Sequence, residues 1–301
     1  MNSKKRFDFM LNRKKFFAAS TTITILGLLT LLIFGLNLGV DFKAGTSIDI
    51  TAGQQIEKAK SDDIFKSLDM QPAVTTIGGN NNDRVSARFD EVVSEENVKK
   101  IEAAFKAAYG DNVSLEVNTV SPDIAQELAI KAIYGVAIAS VAISIYVSIR
   151  FEWRFALAAI IAILHDAFIV ISMFSIFRLE VDLPFVAAVL TTIGYSINDK
   201  IVIFDRIREN QRFSKIRTDA DLSEMINNSI WQTMARNIYT VITVLIAAVC
   251  LYIFGSESIK LFALAKIIGL TSGAYSSICI ASPLWFLLKQ KSLGAKKKAA
   301  A

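Results

Sequence analysis

The segment TTIGYSINDKIVIFDRIREN, residues 191–210, decides the fold of this chain. Most of it is apolar enough to cross a bilayer, yet Asn198, Asp199 and Lys200 lie within it. A charged side chain near mid-membrane costs roughly 2.5–3.5 kcal/mol on insertion scales, so it usually faces a polar pathway or a partner. We therefore expect a proton or ion relay in this helix. The alternative is a structural ion pair between helices.

The composition around this segment is that of a polytopic α-helical membrane protein. Hydrophobic residues make up 53% of the 301 positions, and the mean hydropathy is +0.43. A helix needs about 20 apolar residues to cross roughly 30 Å of hydrocarbon. We predict six transmembrane helices, at residues 16–36, 129–149, 155–177, 185–204, 237–254 and 261–288.

Basic residues predict the orientation. They cluster before the first span, between the second and third, after the fourth and after the sixth, whereas the short loops on the other side carry only Arg178 and Lys260. This positive-inside pattern places both the N-terminus, residues 1–15, and the tail, residues 289–301, in the cytoplasm. The first span is interpreted as a retained signal anchor, because no small-residue cleavage site follows it.

Residues 219–236 form an amphipathic segment before the fifth span. Its apolar residues lie along one side of a helix; they are Leu222, Met225, Ile226 and Ile230. Such a segment is predicted to lie on the cytoplasmic membrane surface.

The long loop at residues 37–128 is predicted to be an extracytoplasmic α+β domain. Residues 40–127 hold nine basic and 16 acidic side chains, which argues against nucleic acid as a partner. The pattern predicts strands at 46–51, 73–77, 84–89 and 113–120, and helices at 54–68 and 94–109. The order β-α-β-β-α-β is typical of a ferredoxin-like sandwich. That fold supports many functions and names none of them.

The fourth span has a polar face. Thr192, Ser196 and Asp199 follow at i, i+4 and i+7, so they share one side of the helix, which we expect to face the bundle. Thr191, Gly194 and Asn198 form an adjacent small and polar strip, and Asn198 is a further candidate for the proton path or its gating. On the fifth helix, Arg236 begins a similar stripe with Thr240 and Thr243 near the same depth. Arg236 is therefore an expected electrostatic partner for Asp199, although it could also be a positive-inside anchor.

The third span holds a second polar pair, His165 and Asp166. Neither would be stable facing lipid, and histidine titrates near neutrality, so a proton path or gating role is one interpretation and a structural contact between helices the other. Adjacent helical residues point about 100° apart, so we do not expect these two to share a face. By the same angle Lys200 points away from Asp199, and it is expected to alter the local charge balance or to reach towards the cytoplasm.

Two further motifs are interpreted as structural. The segment GVDFKAGTSIDI after the first span predicts a tight turn from helix to strand, formed by Gly39, Asp41, Phe42, Gly45 and Thr46. In the sixth span small residues repeat every four positions and would allow close helix packing. These are Gly269, Gly273 and Ser277.

Three of these motifs together resemble the SecD/SecF family of the bacterial protein-export machinery, in its SecF branch. They are TIGYSINDKIVIFDRIREN in the fourth span, LNLGVDFKAGTSIDI at residues 36–50 and LHDAF at residues 164–168. The resemblance implies a proton-driven member of the RND superfamily in the bacterial cytoplasmic membrane, with its relay carboxylate and arginine at Asp199 and Arg236. The chain departs from the pattern that this resemblance implies at two positions: Ala44 stands where a glycine is expected, and Lys200 where an uncharged residue is expected.

The same resemblance implies the partners and the energy source. A SecD-like subunit, the SecYEG channel and a translocating preprotein would be the protein partners, and the basic cytoplasmic face suits anionic membrane lipids. No cofactor is expected beyond a proton gradient, with Na+ as an alternative coupling ion.

Enzymatic function is not expected from the sequence. It has no GxxxxGK, HExxH or GxSxG motif, and Cys250 and Cys279 both fall in predicted spans, so no metal site or disulfide framework is implied. The alternatives are a scaffold subunit that uses no ion gradient and an RND-type exporter of lipids or small molecules. Against the exporter, six spans are half of a typical RND membrane unit, and no internal repeat supplies the other half.

Overall fold

The computed structural model describes residues 7–79, 81–214, 216, 218–255 and 257–299. Predictions that concern residues 1–6, Lys215, Arg217 and the last two residues of the tail lie outside this range. Along the chain the elements are α1 (Arg13–Phe34), β1 (Asn37–Leu38), α2 (Val40–Lys43), β2 (Gly45–Thr51), α3 (Lys58–Ser67), β3 (Val74–Gly78), β4 (Arg84–Phe89), α4 (Glu95–Tyr109), β5 (Ser114–Val120), α5 (Pro122–Arg150), α6 (Trp153–Ile176), β6 (Glu180–Val181), α7 (Leu183–Phe213), α8 (Asp219–Phe254), α9 (Glu257–Ser276), a π-helical turn (Ser277–Ala281) and α10 (Ser282–Ala299).

Among the residues that the structure describes, six apolar helical stretches are long enough to cross a membrane, so the chain is a multi-pass helical membrane protein. They are α1, α5, α6, α7, α8 and the continuous stretch Ile259–Lys291. Each helix begins before its predicted span, because hydropathy marks only the apolar part of a helix, whereas α1 and α6 end one or two residues before the predicted limit. A π-helical turn, Ser277–Ala281, interrupts the last stretch and was not predicted.

The predicted amphipathic segment is not a separate helix on the membrane surface. A single helix, α8, runs from Asp219 to Phe254, and a Thr218–Asp221 capping box fixes its start. Leu222, Ile226 and Ile230 are fully buried in the same core as the membrane helices. The surface prediction is wrong because these apolar side chains pack against protein, which an amphipathic pattern alone does not distinguish from lipid.

The domain between α1 and α5 has the predicted order of elements. Its sheet order is β3-β4-β2-β5, and all three pairings are antiparallel, an arrangement compatible with the ferredoxin-like prediction. Helices α3 and α4 contribute Phe65, Ile101 and Phe105 to a separate core against the sheet. Helix α3 begins at Lys58 rather than 54, because the backbone N–H of Ile56 donates to the carbonyl of Asn82 and ties this stretch to the β3–β4 loop.

Burial separates the central membrane helices from the peripheral ones. Within the apolar window of each helix, half of the residues of α6 and of α7 are buried, against 6% for α5 and 11% for α1. The last stretch is 61% buried, so α6, α7 and α9 form the centre of the bundle. This is where the charged residues lie.

Candidate intramembrane ion site

The polar face predicted on α7 is present and buried. Thr192, Ser196 and Asp199 have exposed fractions of 1%, 2% and 5%. The face turns towards α9, where glycines allow a close approach: a Cβ on Gly269 would overlap the Thr192 side chain, and one on Gly273 would lie 3.4 Å from Cβ of Ser196. The hydroxyl of Ser277 donates to the carbonyl of Gly273 at 2.7 Å. Small residues on α9 thus bring its backbone next to the polar face of α7.

Lys200 is fully buried and forms an ion pair with Asp166 of α6. Nζ of Lys200 lies 2.9 Å from Oδ2 of Asp166, and neither side chain is exposed. The prediction that Lys200 reaches the cytoplasm is wrong, because a buried carboxylate on the neighbouring helix holds its ammonium inside the bundle. A buried ion pair needs additional hydrogen bonds to offset its desolvation.

Serine hydroxyls from two helices supply those hydrogen bonds. Oδ2 of Asp166 accepts from Ser276 at 2.6 Å and from Ser196 at 2.5 Å, and Oδ1 accepts from Ser272 at 2.8 Å. Ser272 and Ser276 were missed by the sequence analysis. Their spacing of four residues on an apolar helix was the available signal, but the small-residue stripe that was singled out lies one position further along the helix.

His165 contacts the same carboxylate. Its Nδ1 lies 3.2 Å from Oδ1 of Asp166, although the two residues are adjacent in sequence. The expectation that they point apart is therefore wrong for the ring atoms, because the imidazole reaches back towards its neighbour. Its Nε2 is buried and has no hydrogen-bond partner among the described residues.

Asp199 is buried without a direct partner. Within the described part of the chain its carboxylate makes no hydrogen bond and no ion pair, and the charged groups that act on it at longer range are Lys200, Asp166 and Arg236. A buried carboxylate without donors is costly as an anion, so its charge must be neutralised by a proton, a cation or a partner. Of the two residues of the predicted relay, Asp199 is the one that lies buried in the bundle.

Arg236 and Asn198 do not lie on this buried face. Both are exposed on the surface of the chain, and no ion pair within 4.0 Å joins Arg236 to Asp199 in the described structure. Asn237, the next residue of α8, is instead buried at 4% exposure, and its Oδ1 has no hydrogen-bond partner among the described residues. The Asp199–Arg236 pairing stays a prediction.

The strip expected beside the polar face lies on the outside of this chain. Thr191, Gly194 and Asn198 are all exposed, so this strip does not face the interior of the bundle within one chain. Lys266 of α9 is close to it: its Nζ donates to the hydroxyl of Thr191 at 3.0 Å and lies 4.5 Å from the Tyr195 ring centroid.

The turn motif connects the external domain to the start of α7. The backbone N–H of Leu183 donates to Oδ2 of Asp41, and Nδ2 of Asn118 donates to Oδ1 of the same carboxylate. The short strands β1 and β6 pair in parallel, Asn37 with Glu180. The hydroxyl of Thr46 accepts from the backbone N–H of Val93 at 2.9 Å, which fixes the start of β2.

Two residues of this motif have unusual backbones. Gly45 has φ +122°, and a Cβ there would collide with the carbonyl of Phe89. Ala44 has φ 68° and ψ 167°, a region that is essentially restricted to glycine.

The other residues of the motif contact the membrane helices and the strand β6. Phe42 packs against the membrane core. The backbone of Gly39 donates to the carbonyl of Val181 at 2.9 Å.

Acidic residues gather at the same junction, outside the membrane spans. Burial raises the pKa of Asp182 to about 6, and the nearby carboxylate of Asp41 adds to this, while the hydrogen bond from the N–H of Phe185 opposes it. Burial also raises the pKa of Glu180. The guanidinium of Arg88 opposes this rise, with its Nη1 3.8 Å from Oε1 of Glu180.

Two family models match this chain. The model for "Protein export membrane protein SecD/SecF, C-terminal" matches residues 100–291, and that for the "SecD/SecF GG Motif" matches residues 30–56. The chain is 46% identical over 293 residues to the protein translocase subunit SecF of Alicyclobacillus acidocaldarius, covering 96% of this chain and 95% of that protein. It is 45% identical over 289 residues to the subunit SecDF of Bacillus subtilis, of which it spans 39%.

Solved structures of SecDF have the same fold. The crystal structure of SecDF from Thermus thermophilus, described as a translocon-associated membrane protein, matches 97% of this chain with a TM-score of 0.84 and 32% identity, and the match covers 40% of that chain. A second SecDF structure, in a super-membrane-facing form, gives a TM-score of 0.68 and 28% identity. The motifs of the fourth span and of the first turn, the six helices and these relatives agree, and this chain belongs to the SecD/SecF family of protein export membrane proteins.

Proposed function

We propose that this chain works as a SecF-like subunit of the bacterial Sec machinery and couples proton flow to late steps of protein export. The observation that carries the proposal is Asp199: a carboxylate 5% exposed, in the centre of the bundle, without a hydrogen bond or ion pair among the described residues. Proton uptake removes the cost of its buried charge, and proton release restores it. A group with those properties can bind and release a proton without breaking a local hydrogen bond.

The external domain is the proposed moving part. The helix that carries Asp199 begins at Leu183, where its first backbone N–H is bonded to Asp41 of the domain junction. A change in the tilt or position of α7 would therefore be transmitted to the sheet through Asp41 and Asn118. Parallel pairing of β1 with β6 provides a second connection.

A SecD-like subunit is the proposed partner within the membrane. Thr191, Gly194 and Asn198 expose a small, polar strip on a membrane helix, and such a surface is stable against another helix rather than against lipid. Two of the relatives support this: the SecDF proteins carry a longer chain, of which the present one matches 39% to 40%. SecYEG, the preprotein and anionic lipids complete the proposed set of partners.

The proposed location is the bacterial cytoplasmic membrane with both termini in the cytoplasm, because the basic residues cluster on that side. The relatives are named translocase subunits, and a transport role without an enzymatic reaction of its own is proposed for this chain. Protons are the proposed coupling ion.

Export of a secreted reporter into inverted vesicles tests the proposal. Vesicles that contain this chain and its SecD-like partner are compared with vesicles that contain Asp199→Asn, with and without an imposed proton gradient. We expect the variant to assemble with its partner and to lose only the gradient-dependent part of export. Equal export by both would show that the chain is a scaffold. Gly194→Leu tests the partner surface separately: nothing lies within 4 Å of a Cβ at this position, so the chain should fold but fail to co-purify with the partner.

A further inference from the structure

The ammonium group of Lys200 is enclosed by oxygen atoms from three helices, α6, α7 and α9. Its Nζ lies 2.9 Å from Oδ2 of Asp166, 2.9 Å from Oγ of Ser276 and 2.5 Å from Oγ of Ser196, with the carbonyl oxygen of Ser196 at 3.4 Å. The side chains of all four residues are buried. Because these side chains are buried, the polar partners of the positive charge are oxygen atoms of the protein itself.

The hydrogen bonds of this shell are consistent with a full positive charge on Lys200. An ammonium group has three N–H donors, and the carboxylate and the two hydroxyls provide three acceptors. Each hydroxyl in turn donates its single hydrogen to Oδ2 of Asp166, at 2.5 Å from Ser196 and 2.6 Å from Ser276. The two serines thus accept from the cation and donate to the anion, so the shell is satisfied when the centre is a cation.

The same ligand set is one that a free hard cation uses. Carboxylate, hydroxyl and carbonyl oxygens bind hard cations, whereas histidine nitrogen and cysteine sulfur bind softer ones. Among the described residues no cluster of three His, Cys, Asp or Glu side chains could hold a transition metal. The shell has one carboxylate, so a monovalent cation neutralises it and a divalent cation leaves an uncompensated buried charge.

Backbone irregularity beside the shell supports a built site. The π-helical turn Ser277–Ala281 starts directly after Ser276. Turns of this type are rare and occur frequently at functional sites, because they displace backbone carbonyls and side chains from the regular helical positions. The interruption lies on the helix that brings Ser272 and Ser276 to Asp166.

We infer that the Asp166–Ser196–Ser276 shell is a binding site for a monovalent alkali cation, and that the Lys200 ammonium occupies it as a tethered cation that excludes sodium. A small uncharged side chain at position 200 would leave the oxygen atoms of the shell without this cation. The shell lies beside Asp199, so what the inference says about the coupling ion rests on the proposed function.

Lys200→Ser tests the inference, because it removes the ammonium and leaves a small hydroxyl in an oxygen-lined space. The full-length chain in lipid nanodiscs is unfolded thermally in NaCl and in choline chloride at equal ionic strength, since choline is too large for the shell. We expect the Tm of Lys200→Ser to rise by about 5 °C in NaCl relative to choline chloride. The wild type should show no sodium-specific change.

The matched control is Asp166→Asn/Lys200→Ser, which has the same small side chain at position 200 but no carboxylate. It should show no sodium-specific change in Tm. An equal rise in this control or in the wild type, or no rise in Lys200→Ser, would overturn the inference. If Lys200→Ser folds only in sodium, the inference is supported; if it folds in neither salt while the control folds, sodium does not replace the ammonium and the inference fails. No export is measured, so this result is independent of the test of Asp199.

Discussion

Oδ2 of Asp41 accepts a hydrogen bond of 2.9 Å from the backbone N–H of Leu183, the first residue of α7. Asp199 lies further along the same helix, about 24 Å away at 1.5 Å per residue. One carboxylate therefore joins the external domain to the helix that carries the proposed proton-binding group. An anion at a helix N-terminus is also favoured by the helix dipole.

Removal of the Asp41 carboxylate should loosen this junction. Asp41→Ala removes the bond to Leu183 and the bond of 3.2 Å to Asn118, at a cost of about 1.5–3 kcal/mol for charged hydrogen bonds. Hydrogen–deuterium exchange should become faster at the start of α7 and in β5, with the core of the external domain unchanged. Asp63→Ala, at an exposed position of α3, is the control and should leave exchange unchanged. Unchanged exchange in Asp41→Ala would mean that the junction is held by other contacts.

Restoring glycine at position 44 should stabilise the protein. Ala44 has φ 68° and ψ 167°, and a residue other than glycine in this region costs about 1–3 kcal/mol. Ala44→Gly should raise the free energy of unfolding by an amount near the lower end of that range, because the unfolded chain gains freedom. Thermal unfolding in detergent measures the change. Ala125→Gly, at a buried helical position, should have the opposite sign, and a loss of stability in Ala44→Gly would contradict the strain argument.

Stability should depend on pH through Asp182. Burial raises the pKa of this carboxyl from 3.8 to about 6, so between these values the folded state binds more protons than the unfolded state. The stability from this group is therefore lost as pH rises from about 4 to 6. Asp182→Asn keeps an oxygen for the Phe185 N–H and should show a smaller fall in Tm between pH 4.5 and pH 7. Asp123→Asn, at an exposed position, should retain the wild-type pH profile; equal profiles for all three proteins would rule out Asp182 as the cause.

The Lys200–Asp166 ion pair should behave as one unit. Lys200→Met leaves a buried carboxylate without its cation, at a cost of about 3–5 kcal/mol. Asp166→Asn alone should also destabilise the chain, while Asp166→Asn/Lys200→Met should cost less than the sum of the two. Unfolding titrations in mixed micelles measure the three free energies. Additive costs would mean that the two charges do not stabilise one another.

Local pattern was sufficient for the membrane helices, for the main strands and helices of the external domain and for one face of the site. The six apolar stretches, the strand and helix order of the external domain, and the Thr192–Ser196–Asp199 face all follow from residue spacing on a helix or strand. They depend on neighbours in sequence, which the sequence displays directly.

The partners of each charge depended on packing between helices and could not be read from spacing. Lys200 contacts Asp166 of α6 and Ser276 of α9, residues 34 and 76 positions away in sequence. The 100° rule correctly separated Lys200 from Asp199 but gave no information about which helix Lys200 faces. The same uncertainty of rotation explains why Arg236 is exposed while its neighbour Asn237 is buried.

Proton release from the lumen of inverted vesicles during export tests the central claim about Asp199 most directly. A pH-sensitive dye reports proton flux in vesicles that hold the chain, its SecD-like partner and the export channel. We predict that Asp199→Asn reduces export-linked proton flux to the background of vesicles that lack the chain. Asp205 lies on the same helix as Asp199 and is a more exposed carboxylate, paired with Arg150 of α5. The control Asp205→Asn should retain the flux. Wild-type flux in Asp199→Asn would contradict the account, because the proton would then cross without the one unpaired carboxylate described in the centre of the bundle.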